Sequence, residues 1–119
     1  MSRIQKMRVG EKVILSVDYS DLKSDQMMEL ASETLHVILA DNKPVRILNI
    51  TNERNFTPPK VMRHFEDIIR QGLHLIERHS IVGLSPTKKV ILKGLNLILK
   101  RDFKAFDTRD EAIAYLVAE

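Results

Sequence analysis

The sequence predicts one α/β domain: a mostly parallel sheet of about five strands, one of them an antiparallel edge strand, with four helices on its two faces. The chain has 119 residues, 44% of them hydrophobic, which suits a single domain over residues 1–119 with its own core. Two strand-like runs come first, and helical and strand-like segments then alternate, giving the order ββαβαβαβα. Such alternation favours right-handed crossovers between parallel strands.

The first third of the chain predicts a hairpin and a long helix. Residues 3–9 and 12–18 flank Gly10-Glu11, and the second run is rich in strand formers. Ser24 is placed to cap the following helix, with Asp25 in its first turn and an end near Ala40. Its apolar residues recur at helical spacing: Met27, Met28, Ala31, Leu35, Ile38 and Leu39.

A buried strand and a second helix follow. Residues 45–50 are short and mostly aliphatic, as expected of a strand covered on both faces. Thr57 precedes two prolines, which predicts a helix capped by the threonine. Its apolar stripe is Val61, Phe65, Ile68, Ile69, Leu73 and Ile76. Gly72 interrupts this stripe, and we interpret it as a point of close packing against a neighbour.

The last third predicts two more strands and two more helices. Residues 80–84 form a buried strand, and Ser85-Pro86 supplies a cap and a first-turn proline for the third helix. Residues 103–106 form a short final strand. Thr108 and Glu111 have the spacing of a capping box, which predicts the start of the last helix.

Composition excludes several functional classes. The chain has no cysteine, which excludes disulfide scaffolds, cysteine nucleophiles, thiolate zinc sites and cysteine-ligated iron–sulfur clusters. The net charge of +3 is mild and gives little reason to expect a nucleic-acid partner. The first ten residues are too polar for a secretory signal, and no apolar run approaches the roughly 18 residues of a membrane span. We therefore expect a cytoplasmic protein without an integral membrane segment.

Three segments in the last third carry a family resemblance: residues 81–84 (Ile-Val-Gly-Leu), residues 88–96, and the stretch from Phe106-Asp107-Thr108 through Glu111-Ala112 to Leu116. They resemble the STAS domain of bacterial anti-sigma-factor antagonists, and the stand-alone bacterial proteins grouped with it and with CRAL-TRIO lipid-transfer domains. The first two-thirds match in element order. The resemblance implies a non-enzymatic interaction or ligand-binding module.

The best-known regulatory site of that family is not reproduced. In anti-sigma-factor antagonists, a serine in an Asp-Ser segment at the start of the helix after the third strand is phosphorylated by a partner kinase. Here residues 55–59 read Asn-Phe-Thr-Pro-Pro, and Thr57 is the only hydroxyl near the equivalent place. Because the preceding aspartate is absent and two prolines follow, the resemblance does not extend to phosphorylation by that route.

Motifs for catalysis and metal binding are also absent from the sequence. It contains no Gly-x-Ser-x-Gly and no glycine-rich phosphate loop. None of the four histidines, His36, His64, His74 and His79, is three or four residues from another. We interpret them as surface or boundary residues on amphipathic helices. The sequence thus predicts no enzyme, no catalytic residues, no metal site and no cofactor; the alternative is a hydrolase or transferase whose activity depends on residues such as Ser85 or Thr57.

Topology suggests a candidate recognition surface. The carboxyl ends of parallel strands meet at one edge of a sheet, where ligands bind in many open α/β folds. Lys88 and Lys89 fall in the first turn of the third helix, where positive charge is unfavourable unless an anion is near. With Arg54 from a neighbouring loop they form a hypothetical site for a phosphate or carboxylate; the alternative is that both lysines are solvated. The predicted ligand-binding residues are Asn52, Arg54, Thr57, Ser85, Lys88 and Lys89.

The third helix is apolar around most of its circumference, so part of its surface needs a cover. A homodimer contact or a lipophilic pocket between helix and sheet would supply one, with the flexible Met27, Met28 and Met62 as pocket residues. The alternative is that these side chains are ordinary core. Six basic residues between positions 88 and 104 are interpreted as a solvated face rather than a nucleic-acid or bilayer contact.

These observations predict a binding or regulatory module acting through protein–protein interaction in bacterial signalling. The alternative is a carrier or sensor of a small lipophilic or anionic ligand.

Overall fold

The computed structural model describes residues 2–55 and 57–118, and their element order confirms the predicted ββαβαβαβα. The strands are β1 (Ile4–Val9), β2 (Lys12–Asp18), β3 (Val45–Ile50), β4 (Ile76–Val82) and β5 (Lys104–Phe106). The helices are α1 (Ser24–Asp41), α2 (Pro59–Gly72), α3 (Pro86–Leu99) and α4 (Arg109–Val117), and a 3₁₀ turn (Leu73–Leu75) follows α2.

The strands of the described chain form one sheet in the order β1-β2-β3-β4-β5. The β1–β2 pair is antiparallel and the other pairs are parallel, as predicted. Each parallel strand is added on the same side of its predecessor, so crossovers of one hand place their helices on one face. Helices α1, α2 and α3 accordingly share one face, and α4 packs on the other. The prediction of helices on both faces is confirmed, with three on one side and one on the other.

The alternation of side chains along each strand divides the core into two layers. Leu15 and Val17 of β2 belong to the layer under α1 and α2, whereas Ile14 packs with Leu116 of α4. Residues 45–48 of β3 are all buried, as expected of a strand covered on both faces. A further cluster around Leu92 lies beneath α3.

Two arginines on adjacent strands bind the end of α4 to the sheet. Arg46 of β3 is buried and donates hydrogen bonds to the backbone carbonyls of Leu116 and Ala118. Arg78 of β4 donates to the carbonyl of Tyr115 at 2.8 Å. The last carbonyls of a helix have no partners within the helix and carry partial negative charge, so the two guanidinium groups stabilise this end.

Two predicted helix caps are wrong by one residue. Lys23, not Ser24, occupies the cap position of α1, and its backbone N–H donates to Oε1 of Gln26 at 3.0 Å. Thr57 does not cap α2, because Pro58 holds that position with an extended backbone. A residue that precedes a proline is disfavoured in the helical region, so Pro59 forces Pro58 out of the helix.

The caps of the last two helices are confirmed. Ser85 Oγ accepts a hydrogen bond from the backbone N–H of Lys88 at 3.3 Å, and Pro86 follows in the first turn of α3. Thr108 Oγ1 accepts from the backbone N–H of Glu111 at 3.2 Å. The Thr108 hydroxyl also donates to the Glu111 carboxylate at 2.9 Å.

The predicted boundaries of α2 and β4 need correction. Gly72 ends α2, so Leu73 lies in the 3₁₀ turn and Ile76 begins β4, four residues before the predicted start at Ser80. The expectation of close packing at Gly72 is confirmed. A Cβ atom at Gly72 would lie 3.2 Å from Cδ1 of Leu35 on α1. The last strand is one residue shorter than predicted.

Candidate functional site

An apolar cavity of about 150 Å³ lies between the sheet and the three helices that share its face. Met27 of α1, Met62 and Phe65 of α2, and Leu92 of α3 form its walls. Ile47 of β3 lies on its sheet side. The cavity therefore occupies the position predicted for a lipophilic pocket between the third helix and the sheet.

The position of α3 explains the space. The backbone of α3 lies farther from the other described elements than the backbone of α4, which lies close to β3, β4 and β5. Leu92 and Leu95 reach inward from α3 across this gap. Ala105 of the three-residue strand β5 packs against the cluster that contains Leu92 but is not among the residues that line the cavity.

The end of the cavity nearest the carboxyl ends of the strands is polar. Thr51, Asn55, Thr57 and Lys88 line it. Asn55 is buried, and its Nδ2 donates to the carbonyl of Tyr19 at 2.7 Å. The Lys88 ammonium group donates to the carbonyl of Asn55. The loops after β2 and β3 and the start of α3 are therefore joined at this end of the cavity.

His79 is the ionisable residue that the sequence interpretation placed wrongly. It lies in β4 opposite Ile47, is only 6% exposed and lines the cavity, so it is neither on a helix nor at the surface. Its ring is nearly perpendicular to that of Phe103, with the centroids 4.2 Å apart. Nδ1 is buried and has no hydrogen-bond partner among the described residues. Burial lowers the pKa of His79 to about 3, and the positive charge of Arg101 adds to the effect.

The alternation of side chains along β4 would have predicted that His79 is buried. Once β4 is extended back to Ile76, His79 stands two positions before Ile81 and shares its face of the sheet. The strand was predicted to start at Ser80, which left His79 outside it. Tyr19, also buried beside the cavity, is not among the predicted ligand-binding residues; burial raises its pKa.

Asn52 and Arg54, the predicted ligand-binding residues that follow β3, contact the loop after β2. Asn52 donates from Nδ2 to Oδ1 of Asp21 at 2.9 Å, and its own Oδ1 accepts from the Asp21 backbone N–H at 3.2 Å. The guanidinium group of Arg54 lies 3.6 Å from the Asp21 carboxylate, and both side chains are largely exposed. The convergence of these two loops agrees with the parallel topology.

The predicted cations at the start of α3 also have oxygen partners. Lys88 donates to the carbonyl of Asn55, as described, and Lys89 lies 3.3 Å from the Asp107 carboxylate. Ser85 acts as the helix cap. Of the six predicted ligand-binding residues, Thr57 and Lys88 line the cavity. Anion binding at this edge of the sheet stays a prediction.

The outer side of α3 is exposed and apolar. Val90 is 67%, Leu97 81% and Ile98 58% exposed. The apolar side chains of this helix are thus divided between the cavity and solvent. Of the three methionines predicted for a pocket, Met27 and Met62 line the cavity, whereas Met28 is not among its lining residues.

Among the described residues, no group of three or more His, Asp or Glu side chains is arranged to hold a metal ion. No helix in the same part of the chain has the length and apolar character needed to cross a membrane.

Comparisons of the chain with protein-family models, with curated proteins and with solved structures found no match. None of these comparisons identifies the chain as a STAS domain.

Proposed function

We propose that this protein is a non-enzymatic module that binds a small, mainly apolar molecule in the cavity between the sheet and helices α1, α2 and α3, as a carrier or sensor. The observation that carries the proposal is the cavity itself, which is about 150 Å³ in volume and walled mostly by aliphatic, methionine and aromatic side chains. Apolar cavities of roughly this volume stay dry and bind ring-sized hydrocarbons such as benzene. A STAS-like module with a ligand site agrees with the family resemblance.

The walls also allow for larger ligands. Met27 and Met62 are unbranched side chains that change shape at little energetic expense, and they lie on two different helices. Because α3 stands away from the sheet, a small outward displacement of this helix enlarges the cavity without disturbing the layer between the sheet and α4. We expect compounds from one ring upward to bind.

Toluene is a suitable first probe. We expect saturating toluene to raise the midpoint of thermal unfolding, because a ligand that binds only the folded state stabilises it. Ile69→Trp places a large ring at the cavity wall and should abolish this shift. Ile113→Trp is the matched control, since Ile113 is also partly buried but lies in α4 on the other face of the sheet, and it should retain the shift.

A natural ligand should be visible by native mass spectrometry of freshly purified protein. The proposal predicts an added mass that disappears on denaturation and is missing from Ile69→Trp. If toluene fails to shift the wild-type midpoint, or shifts Ile69→Trp equally, the cavity is not a binding site and the proposal is wrong.

Protein–protein interaction is the second candidate, and the exposed side of α3 favours it. Val90, Gly94, Leu97 and Ile98 form one continuous stripe, and nothing lies within 4 Å of a Cβ atom placed at Gly94. A glycine at the centre of an apolar stripe lets a second helix approach closely, and a self-complementary stripe suits a symmetric pair of identical subunits. A second copy of the chain is therefore the partner we propose.

Light scattering on a sizing column tests this candidate. A dimer is expected at micromolar concentration, and Leu97→Asp should convert it to a monomer that remains folded. Leu39→Asp is the control, because Leu39 is 42% exposed on α1 and lies outside the stripe. A monomeric wild-type mass excludes the dimer.

A further inference from the structure

We propose that His79 selects the ligand, so that the cavity prefers neutral, ring-sized molecules that carry a hydroxyl or similar hydrogen-bonding group. This inference rests on the proposed function and specifies the class of molecule that the cavity takes. Phenol represents the class, and toluene is its counterpart of similar size without the hydroxyl.

The position of His79 provides the first argument. The residue lies in the sheet wall of the cavity, and its neighbours there include Ile47 on β3 and the ring of Phe103. Nδ1 is buried and unpaired within the described part of the chain. Native proteins rarely leave a buried polar atom without a partner, because its hydrogen bonds to water are lost on folding. Because Nδ1 has almost no solvent-accessible surface, the ring must turn slightly before a group in the cavity can supply the missing hydrogen bond.

The surroundings of His79 limit how many polar groups the ligand needs. Asn49 lies two positions after Ile47 on β3, so it faces the same side of the sheet and also lines the cavity. The other polar lining residues are mostly at the end near Lys88, where Asn55 already accepts from the lysine. Tyr19 and Thr34, which carry hydroxyl groups, also line the cavity, and the remaining walls are apolar. One hydroxyl or carbonyl on an otherwise apolar body matches this arrangement.

The charge of His79 determines the charge of the ligand. Because burial lowers the pKa of His79 to about 3, the imidazole is neutral at physiological pH and offers one donor and one acceptor. A carboxylate beside the ring would gain no opposite charge from the neutral His79, and the ammonium group of Lys88 lies at the polar end of the cavity, where it already donates to the Asn55 carbonyl. The cavity should therefore bind phenol more tightly than benzoate.

The experiment compares phenol with toluene on three versions of the full chain: wild type, His79→Leu and His79→Gln. Dissociation constants are measured by NMR titration. In His79→Leu we expect phenol to bind about five to ten times more weakly, the range that corresponds to one hydrogen bond, while toluene changes by less than about twofold. His79→Gln retains a donor and an acceptor and should recover part of the phenol affinity.

A spectroscopic measurement separates a direct contact from a change in shape. Phenol should shift the ¹⁵N resonances of the His79 ring in the wild type, whereas toluene should leave them nearly unchanged. If His79→Leu weakens phenol and toluene equally, or weakens neither, the selective role of His79 is refuted although the cavity still binds ligands. If the wild type binds neither compound, the proposed function fails, and this inference fails with it.

Discussion

Acidification should destabilise this protein through His79. In the folded state burial holds the pKa of His79 at about 3, whereas in the unfolded chain the pKa returns to the ordinary value near 6.5. Between these two values the unfolded chain binds a proton that the folded protein does not. The free energy of unfolding therefore rises with pH across this interval and falls as the solution is acidified from pH 6.5 towards pH 3.

The magnitude follows from the gap between the two pKa values. At pH 5 the unfolded histidine is almost fully protonated and the folded one is neutral, so the pH lies about 1.5 units below the pKa of the unfolded chain. At 1.36 kcal/mol per unit, the expected loss of stability from this residue between pH 7 and pH 5 is about 2 kcal/mol.

Urea unfolding at pH 7 and pH 5 measures this loss, and His79→Phe isolates it. Phenylalanine keeps an aromatic ring beside Phe103 but cannot bind a proton. The wild type and the variant share all other titrating groups, so the difference between their two pH dependences belongs to His79. We expect the wild type to lose about 2 kcal/mol more than the variant. Equal losses in the two proteins would refute a neutral, buried His79.

Three further changes have expected outcomes that can be measured by chemical or thermal unfolding. Gly83→Ala should destabilise the fold by about 3 kcal/mol, because φ at Gly83 is +93° and a Cβ atom would lie 2.0 Å from the Thr51 carbonyl oxygen. Its control, Gly94→Ala, has open space in an exposed helix of the single chain and should stabilise the monomer by about 1 kcal/mol; equal effects of the two substitutions would contradict the prediction for Gly83. Arg46→Met should lower stability by about 2 kcal/mol, since it removes the hydrogen bond to the buried Leu116 carbonyl while Arg78 still donates to the Ala118 carbonyl, and unchanged urea unfolding would contradict this. Ser80→Ala should raise the thermal midpoint, by about 1 kcal/mol in stability, because the buried Ser80 hydroxyl has no partner in the described chain; a lowered midpoint would show that it has one.

Elements with strong local signals were predicted correctly from the sequence. The hairpin of β1 and β2 turns at Gly10, where φ is +63°, a conformation that glycine adopts easily. The starts of α3 and α4 depend on the side-chain caps Ser85 and Thr108. Each hydroxyl accepts a hydrogen bond from the backbone N–H three residues later. In these cases the determining interaction lies within a few positions along the chain, so one sequence is sufficient to predict it.

The boundary between α2 and β4 depends on contacts that are distant in sequence. Gly72 ends the helix against Leu35 of α1, a contact between residues 37 positions apart. Leu73 and Ile76 continue the helical spacing of apolar residues beyond this point, so periodicity alone extends the helix too far. This error removed His79 from the predicted strand and hence from the predicted site.

The candidate site was predicted in part for the same reason. Parallel topology is enough to bring the loops with Asn52 and Lys88 to one edge of the sheet, and the apolar excess of α3 is enough to predict a pocket beneath it. Each predicted cation pairs with a particular acceptor, as Lys89 does with Asp107. This pairing depends on side-chain geometry that a single sequence does not reveal.

The uneven distribution of helices gives the two faces of the sheet different stabilities. Helix α4 is held firmly on one face, and α3 is held less firmly on the other. Arg46 and Arg78 bind α4 to the sheet, whereas the backbone of α3 lies farther from the other elements of the described chain. We therefore expect amide hydrogens of α3 to exchange with solvent sooner than those of β3 or α4. Entry of a ligand into the proposed cavity should therefore require displacement of α3, while the sheet and α4 keep their positions.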